Sequence, residues 1–294
     1  GIRLASQYTD ALINATVYAN IGTALYSNQR ISHTTIKGIY ETGDQSTYYA
    51  IELSPGYVGN FFIDATMIGA IKLATGGVGQ SGVDVRGFQS CTNSPSSLGA
   101  VQLSNAGYYT LHHRIEASEN IFYQPNAYAY TTYTGNAQIM SDNSGKIFDI
   151  QGGRFIWKGS AGDKNTRSNQ NTVSGGELII DSPLIHYGSS YPSNRFCFNL
   201  TAGTLEINNK LIYHQNTTGS GIIDMSGGYL KLNGAQLIHA DHTGSYAYAI
   251  DLNSEAHSGS IFNNSFTNLK PFGPGSFTNE IVGGGTLFES HKLY

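Results

Sequence analysis

Between Ile147 and Phe272 one pattern is written five times: IFDIQGGRFIW, TVSGGELIIDSPLIHY, FCFNLTAGTLEINNKLIYH, IIDMSGGYLKLNGAQLIHA and AIDLNSEAHSGSIFNNSFTNL. Each copy holds an alternating apolar run, a turn of small residues, a second alternating run, a short polar residue and a further apolar pair. The last glycines of the turns are Gly153, Gly176, Gly203, Gly228 and Gly259, at spacings of 23, 27, 25 and 31 residues. Five residues after four of them stand Asp181, Asn208, Asn233 and Asn264, residue types that tolerate left-handed backbone at a tight bend. Lys158 and Gly159 hold that place in the first copy. Period-two alternation with a bend at a fixed offset predicts that each copy is one coil and that coils stack. A single unit cannot cover its own apolar face, whereas a stack closes a continuous core and pairs every strand with the coils above and below. Leu178 with Ile180, Leu205 with Ile207 and Leu230 with Leu232 are then expected inside, and Glu177, Glu206 and Lys231 outside.

The expected fold class is all-β, with three stretches: a cap or lead-in segment over residues 1–45, a parallel β-helix over 46–272 and an irregular tail over 273–294. In the first stretch ALINATVYANIGTALYSNQR reads either as a short helix capped at Thr9 or Asp10, plugging one end of the coil, or as strands. From Tyr49 the coil pattern is present in looser form, with Asp64 five residues after Gly59. Beyond Asn268 two prolines and a GGG run are expected to break it.

Composition limits the partners. With 12% charged residues, 20 Tyr and 36 Gly, the chain matches exposed β-structure that relies on neutral hydrogen bonds, and its aromatics argue against disorder. A net charge of −4 without a basic block gives nucleic acid no electrostatic footing. No apolar run reaches the length of a membrane span. Nor does GIRLASQYTD show a charged leader followed by an apolar core. Cys91 and Cys197 are expected to be buried thiols, with a single disulfide as the alternative.

The stacked pattern with its asparagine column at Asn208, Asn233 and Asn264 resembles the right-handed parallel β-helix of the pectin-lyase-like superfamily, and within it bacteriophage tail spikes and fibres. The resemblance covers the second half of the chain well and the first half loosely, and no diagnostic catalytic motif accompanies it. It implies a protein of the cell exterior or virion surface, a polysaccharide or protein receptor as partner, and a homotrimer.

Three constellations are candidates for chemistry. IFYQPNAYAYTTYTG is the most aromatic segment, and Tyr123, Tyr128, Tyr130 and Tyr133 are the expected binding residues, since an exposed tyrosine offers large area, one hydrogen-bonding group and little entropy loss. The alternative places that strand against the helix or a sister subunit. Asp149, Thr172, Asn199, Asp224 and Asp251 each stand at the matching place before the turn. Asp224 and Asp251 would then lie on adjacent coils about 4.8 Å apart, close enough to divide acid and base or nucleophile roles in glycoside cleavage. No Lys or Arg column is evident beside them. His186, Tyr213 and His239 form a third column, expected on an outer face; no metal or other cofactor is expected from it. His112 and His113 are expected at the surface, and the polar loop Ser160–Thr172, with Asp163, Lys164 and Arg167, as an excursion from the coil. Nucleophile-elbow, phosphate-loop, H-E-x-x-H and C-x-x-C motifs are absent from the sequence. The expected function is therefore a spike, fibre or adhesin that recognises a surface glycan or protein, the rival being a polysaccharide hydrolase or lyase using Asp224 and Asp251.

Overall fold

The computed structural model describes residues 1–5, 8–28, 31–53, 60–73, 82–140, 145–161, 170–187, 196–214, 222–240, 246–252, 260–263, 268–272, 277–283 and 286–289, and beyond Leu237 the backbone alone. Every strand pairing among these residues is parallel, and apart from the short pair Tyr8–Thr9 with Ile31–Ser32 the pairings sort into three ladders around a common interior. The chain is a parallel β-solenoid.

The first ladder climbs from Ile2–Leu4 through Leu25–Ser27, Tyr49–Leu53, Ala70–Leu73, Val101–Leu103, Phe122–Gln124 and Phe148–Ile150. It continues in the leading halves of Asn171–Ile180 and Phe198–Ile207, then Ile223–Met225, Tyr246–Leu252 and Phe277–Gly283. The second ladder begins with the leading halves of Leu12–Ala19, Thr34–Thr42, Phe61–Ile68 and Gly82–Cys91. It runs on through Gly107–Leu111, Ala129–Tyr133 and Arg154–Trp157, the trailing halves of the two long strands, Tyr229–Leu232, Ser260–Asn263 and Thr286–Glu289. The third ladder takes the trailing halves of the early long strands, then Arg114–Ala117, Asn136–Ile139 and Ser160–Ala161. It resumes with Leu184–Tyr187, Lys210–His214, Gln236–Ala240 and Asn268–Phe272.

Of the two readings of the first stretch, helix or strands, the strand holds: Leu12–Ala19 pairs along its length with Thr34–Thr42, its β-branched residues and the neighbouring strand overriding a weak capping signal. The stretch after Asn268 does not abandon the coil: Phe277–Gly283 and Thr286–Glu289 pair with the coil before them. Pro271 stands next to the last residue of its strand, Asn268–Phe272.

Alternation fixes what is inside. Leu178, Ile180, Leu205, Ile207, Leu230 and Leu232 are buried, while Glu177, Glu206 and Lys231 point outward and pair across coils. Burying the apolar side of every strand contributes on the order of 25 cal/mol per Å², and only stacking makes that burial available to units this short. The turn glycines stack as well. Gly153, Gly176, Gly203 and Gly228 have φ between +66° and +78°, and a Cβ on Gly203 would stand 2.4 Å from the carbonyl oxygen of Gly176 in the coil below.

The bend between second and third ladders carries the predicted polar column. Asn233 Nδ2 donates to Asn208 Oδ1 at 2.8 Å; Asn264 lies outside the described residues. Followed downward, the same place is held by Asp181, Lys158, Thr134, His112, Arg86, Asp64 and Lys37.

The interior also holds polar groups that were expected outside. His186 and Tyr213 point inward, fully buried and stacked at 5.6 Å, and it is Ile185 and Ile212 that face outward. His113 is buried as well, while its neighbour His112 faces out. Each reversal follows from strand alternation: a His two places from an inward Leu shares its side. Both cysteines are free and buried, so the disulfide alternative falls.

Candidate functional site

The outward side of the second ladder brings together residues far apart in sequence. One column reads Gly82, Tyr108, Tyr130, Arg154 and Glu177; the next reads Asp84, Thr110, Thr132, Ile156 and Ile179. Beyond it lies the bend column with Arg86, His112, Thr134, Lys158 and Asp181. The middle column is low because threonine and isoleucine are short, and the columns on either side are tall. The result is a trough along the solenoid axis, with a hollow of about 230 Å³ lined by Tyr108, Thr110, Tyr130, Thr132, Arg154 and Ile156.

Tyr108 and Tyr130 form the tall wall. Their rings stack at 5.3 Å and 22°, and they are 51% and 44% exposed. Stacking across coils fixes both rings in a lattice of rigid backbone, so a ligand meets them already ordered. At one end of the trough Asp84 accepts from Arg86 Nε at 3.2 Å, and the Arg86 guanidinium lies 5.1 Å over the Phe62 ring. Beyond the other end Arg154 pairs with Glu177 at 3.0 Å and Lys158 with Asp181 at 3.4 Å. The trough thus offers aromatic edge, threonine hydroxyls and charge at both ends, with the cations already paired.

The predicted tyrosines separate. Tyr130 is in the trough wall, and Tyr128 stands 59% exposed on the turn just before it, its N–H donating to Asn126 Oδ1 at 2.8 Å. Tyr123 is on the first ladder, half-buried, in register with Asp149; burial first, and then the Asp149 charge, push its phenol pKa up. Tyr133, expected on the binding surface, is inside the solenoid. Its ring is fully buried and stacked on Trp157 at 5.2 Å, and its hydroxyl donates to the carbonyl of His113 at 3.0 Å. Tyr133 lies three places after the outward Tyr130, an odd step that puts its side chain on the inner side of the strand.

Tyr108, Thr110 and Arg154 escaped the sequence reading. The signal was available: GYYTL, AYTTY and GRFIW are successive rungs of one ladder, and aligning them sets Tyr108, Tyr130 and Arg154 in one column.

The carboxylate column has the expected register. Asp149, Thr172, Asn199, Asp224 and Asp251 are successive partners on the first ladder. At its lower end Lys146 Nζ lies 2.9 Å from Asp149 and donates to Thr172 Oγ1 at 3.2 Å. Asp224 is half-buried; the Asp251 side chain and the loop bearing Asp163, Lys164 and Arg167 lie outside the described residues. The same holds for the His239 side chain, and among the described residues no group of three His, Cys, Asp or Glu side chains is placed to hold a metal ion. No described helix is long and apolar enough to cross a membrane.

No protein-family model, curated protein or solved structure matches this chain.

Proposed function

We propose that this chain is a rigid binding solenoid of the cell exterior or virion surface, related in architecture to the pectin-lyase-like β-helices and tail spikes it resembles, and that it holds a glycan along the trough of its second ladder. The observation that supports this reading is the exposed Tyr108–Tyr130 stack beside a hydroxyl-lined floor. Sugar rings have apolar C–H faces and polar rims; aromatic walls with adjacent hydroxyls and carboxylates suit both. A linear polymer also matches a surface whose contacts recur once per coil, about every 4.8 Å.

The test is direct binding to a panel of bacterial surface polysaccharides by calorimetry. Tyr130→Ala is expected to weaken binding about tenfold, ~1.4 kcal/mol, with little change in melting temperature, because the ring stands on the outer face outside the core. Equal affinity for the variant and the parent would remove the trough from consideration.

The register of Asp224 with Asp251 favours a second reading, polysaccharide cleavage on the first ladder. Release of oligosaccharide that disappears in Asp224→Asn or Asp251→Asn would establish it. Assembly as a homotrimer, which the resemblance implies, is tested by mass measurement in solution.

A further inference from the structure

Tyr108 has one ring face against Tyr130. Its other face points toward the coil below, where the residue in register is Gly82, which has no side chain. Among the described residues the aromatic column therefore ends at this ring face, with half-buried Gly82 in register below it. Gly82 is not required there by conformation, since its φ lies outside the left-handed region, and among the described residues a Cβ on it would meet Asn60 Oδ1 alone, at 3.3 Å. Two residues along the same outward side stands Asp84, held by Arg86 from the bend column, and its carboxylate side chain keeps 32% of its surface exposed. His112 Nε2 lies 3.8 Å from the second Asp84 oxygen.

We propose that this gap seats one uncharged pyranose ring, its C–H face on Tyr108 and its hydroxyls donating to Asp84. The proposal rests on the glycan-binding reading above and assigns that glycan its class at this end of the trough. A flat C–H face against an aromatic face buries apolar area on both sides. A carboxylate accepts hydrogen bonds through both oxygens and so recognises adjacent hydroxyl donors. The same carboxylate repels a uronate or sulfated sugar in that seat, since like charges this close raise the free energy of binding. Arg86 does not reverse the preference: its guanidinium is engaged by Asp84 and by the Phe62 ring.

The experiment uses the full chain with two sets of probes, neutral hexose oligosaccharides and oligosaccharides of uronic acids, followed by titration of the best neutral binder. Gly82→Leu places a side chain in the gap and is expected to weaken that binder at least tenfold with an unchanged melting temperature. Asp84→Asn keeps the shape, and is expected to narrow the preference for neutral over uronic probes by about tenfold. If Gly82→Leu and Asp84→Asn both bind as the parent does while Tyr130→Ala still loses affinity, the ring seat is overturned and the trough remains. A parent protein that prefers uronic probes overturns the assigned class. A parent protein that binds neither set overturns the glycan reading together with this inference.

Discussion

His113 and His186 show how far a residue's surroundings decide its chemistry. The Gln89 amide donates to the carbonyls of Gly69 and Ala100, so its oxygen faces His113 Nε2 at 3.0 Å as acceptor, and the imidazole is the Nε2–H tautomer. Nδ1 has no partner in the interior. A second proton would sit there charged and unpaired, and burial, with a smaller contribution from His112, pushes the His113 pKa down to about 3. Burial alone does the same to His186. Both folded values lie below the ordinary 6.5. The unfolded chain therefore takes up protons first: stability is complete above pH 6.5 and is lost as pH falls from there toward 3. The loss is about 1.4 kcal/mol per pH unit for each histidine. Urea titrations at pH 7, 6, 5 and 4 are expected to trace that decline, and His113→Gln to flatten it; a parent protein equally stable at pH 7 and 4 would contradict the burial of both rings. Asn171 is a second such residue. Its oxygen accepts from the N–H groups of Ile147 and Phe148 at 2.9 and 3.0 Å, and its amide donates to Cys197 O at 3.1 Å, all buried. Asn171→Ala orphans two buried donors and is expected to destabilise the fold by about 3 kcal/mol, read by denaturant midpoint. Neither role was legible in the sequence. An inward polar side chain looks like an outward one until the register of its strand is known.

At the scale of the coil, the corner is the part the sequence states most openly. Gly176, Gly203 and Gly228 combine left-handed φ with a carbonyl of the coil below where a Cβ would stand, so the repeat of glycine at a near-constant interval is a steric requirement written into the rows. Gly234 separates the two effects. It shares the left-handed φ of +66° but has nothing within 4 Å of its would-be Cβ. Gly234→Ala is expected to lose about 1–2 kcal/mol from backbone strain alone, and Gly203→Ala about 3–4 kcal/mol from strain plus displacement of the stack. Equal losses in thermal melts would mean that the close approach of coils is not what selects glycine. The same openness explains what could be read and what could not. Glycine corners and the Asn208–Asn233 bend announced the coils of the second half. The early coils instead use continuous strands through the bend, with Gly38 and Gly87 at the crossing, and a mixture of Lys37, Asp64 and Arg86 holds the bend column there, so the uniform Asp or Asn mark that made the later coils visible is missing. The Tyr108–Tyr130 wall stayed hidden because it appears only once the rungs GYYTL and AYTTY are set against each other.

Over the whole molecule, the backbone of a coil pairs only with its neighbours, and stability is close to a sum of coil and interface terms. Coils at the ends have one interface and those in the middle two, so loss of structure is expected to start at the ends and move inward. The chain contains its own reporter of the middle. Trp157 is the sole tryptophan in the sequence, fully buried, with Tyr133 stacked on it at 5.2 Å and Phe148 edge-on at 5.3 Å. Its fluorescence follows the central coils alone, while far-UV circular dichroism averages over all strands. In a urea titration the dichroism is expected to begin falling at lower denaturant than the fluorescence, the two curves meeting only as the centre gives way. Truncating a central residue sharpens the contrast. Phe155→Ala removes a buried ring packed on both Phe122 and Phe148, about 3–5 kcal/mol, and is expected to bring the fluorescence transition down to meet the dichroism. Leu4→Ala, in the strand that opens the first ladder, is expected to shift only the early part of the dichroism curve. Coincident curves for the parent protein, displaced equally by both substitutions, would show instead that the coils melt as one cooperative body. The trough would then derive its rigidity from the whole stack and not from the coils that line it.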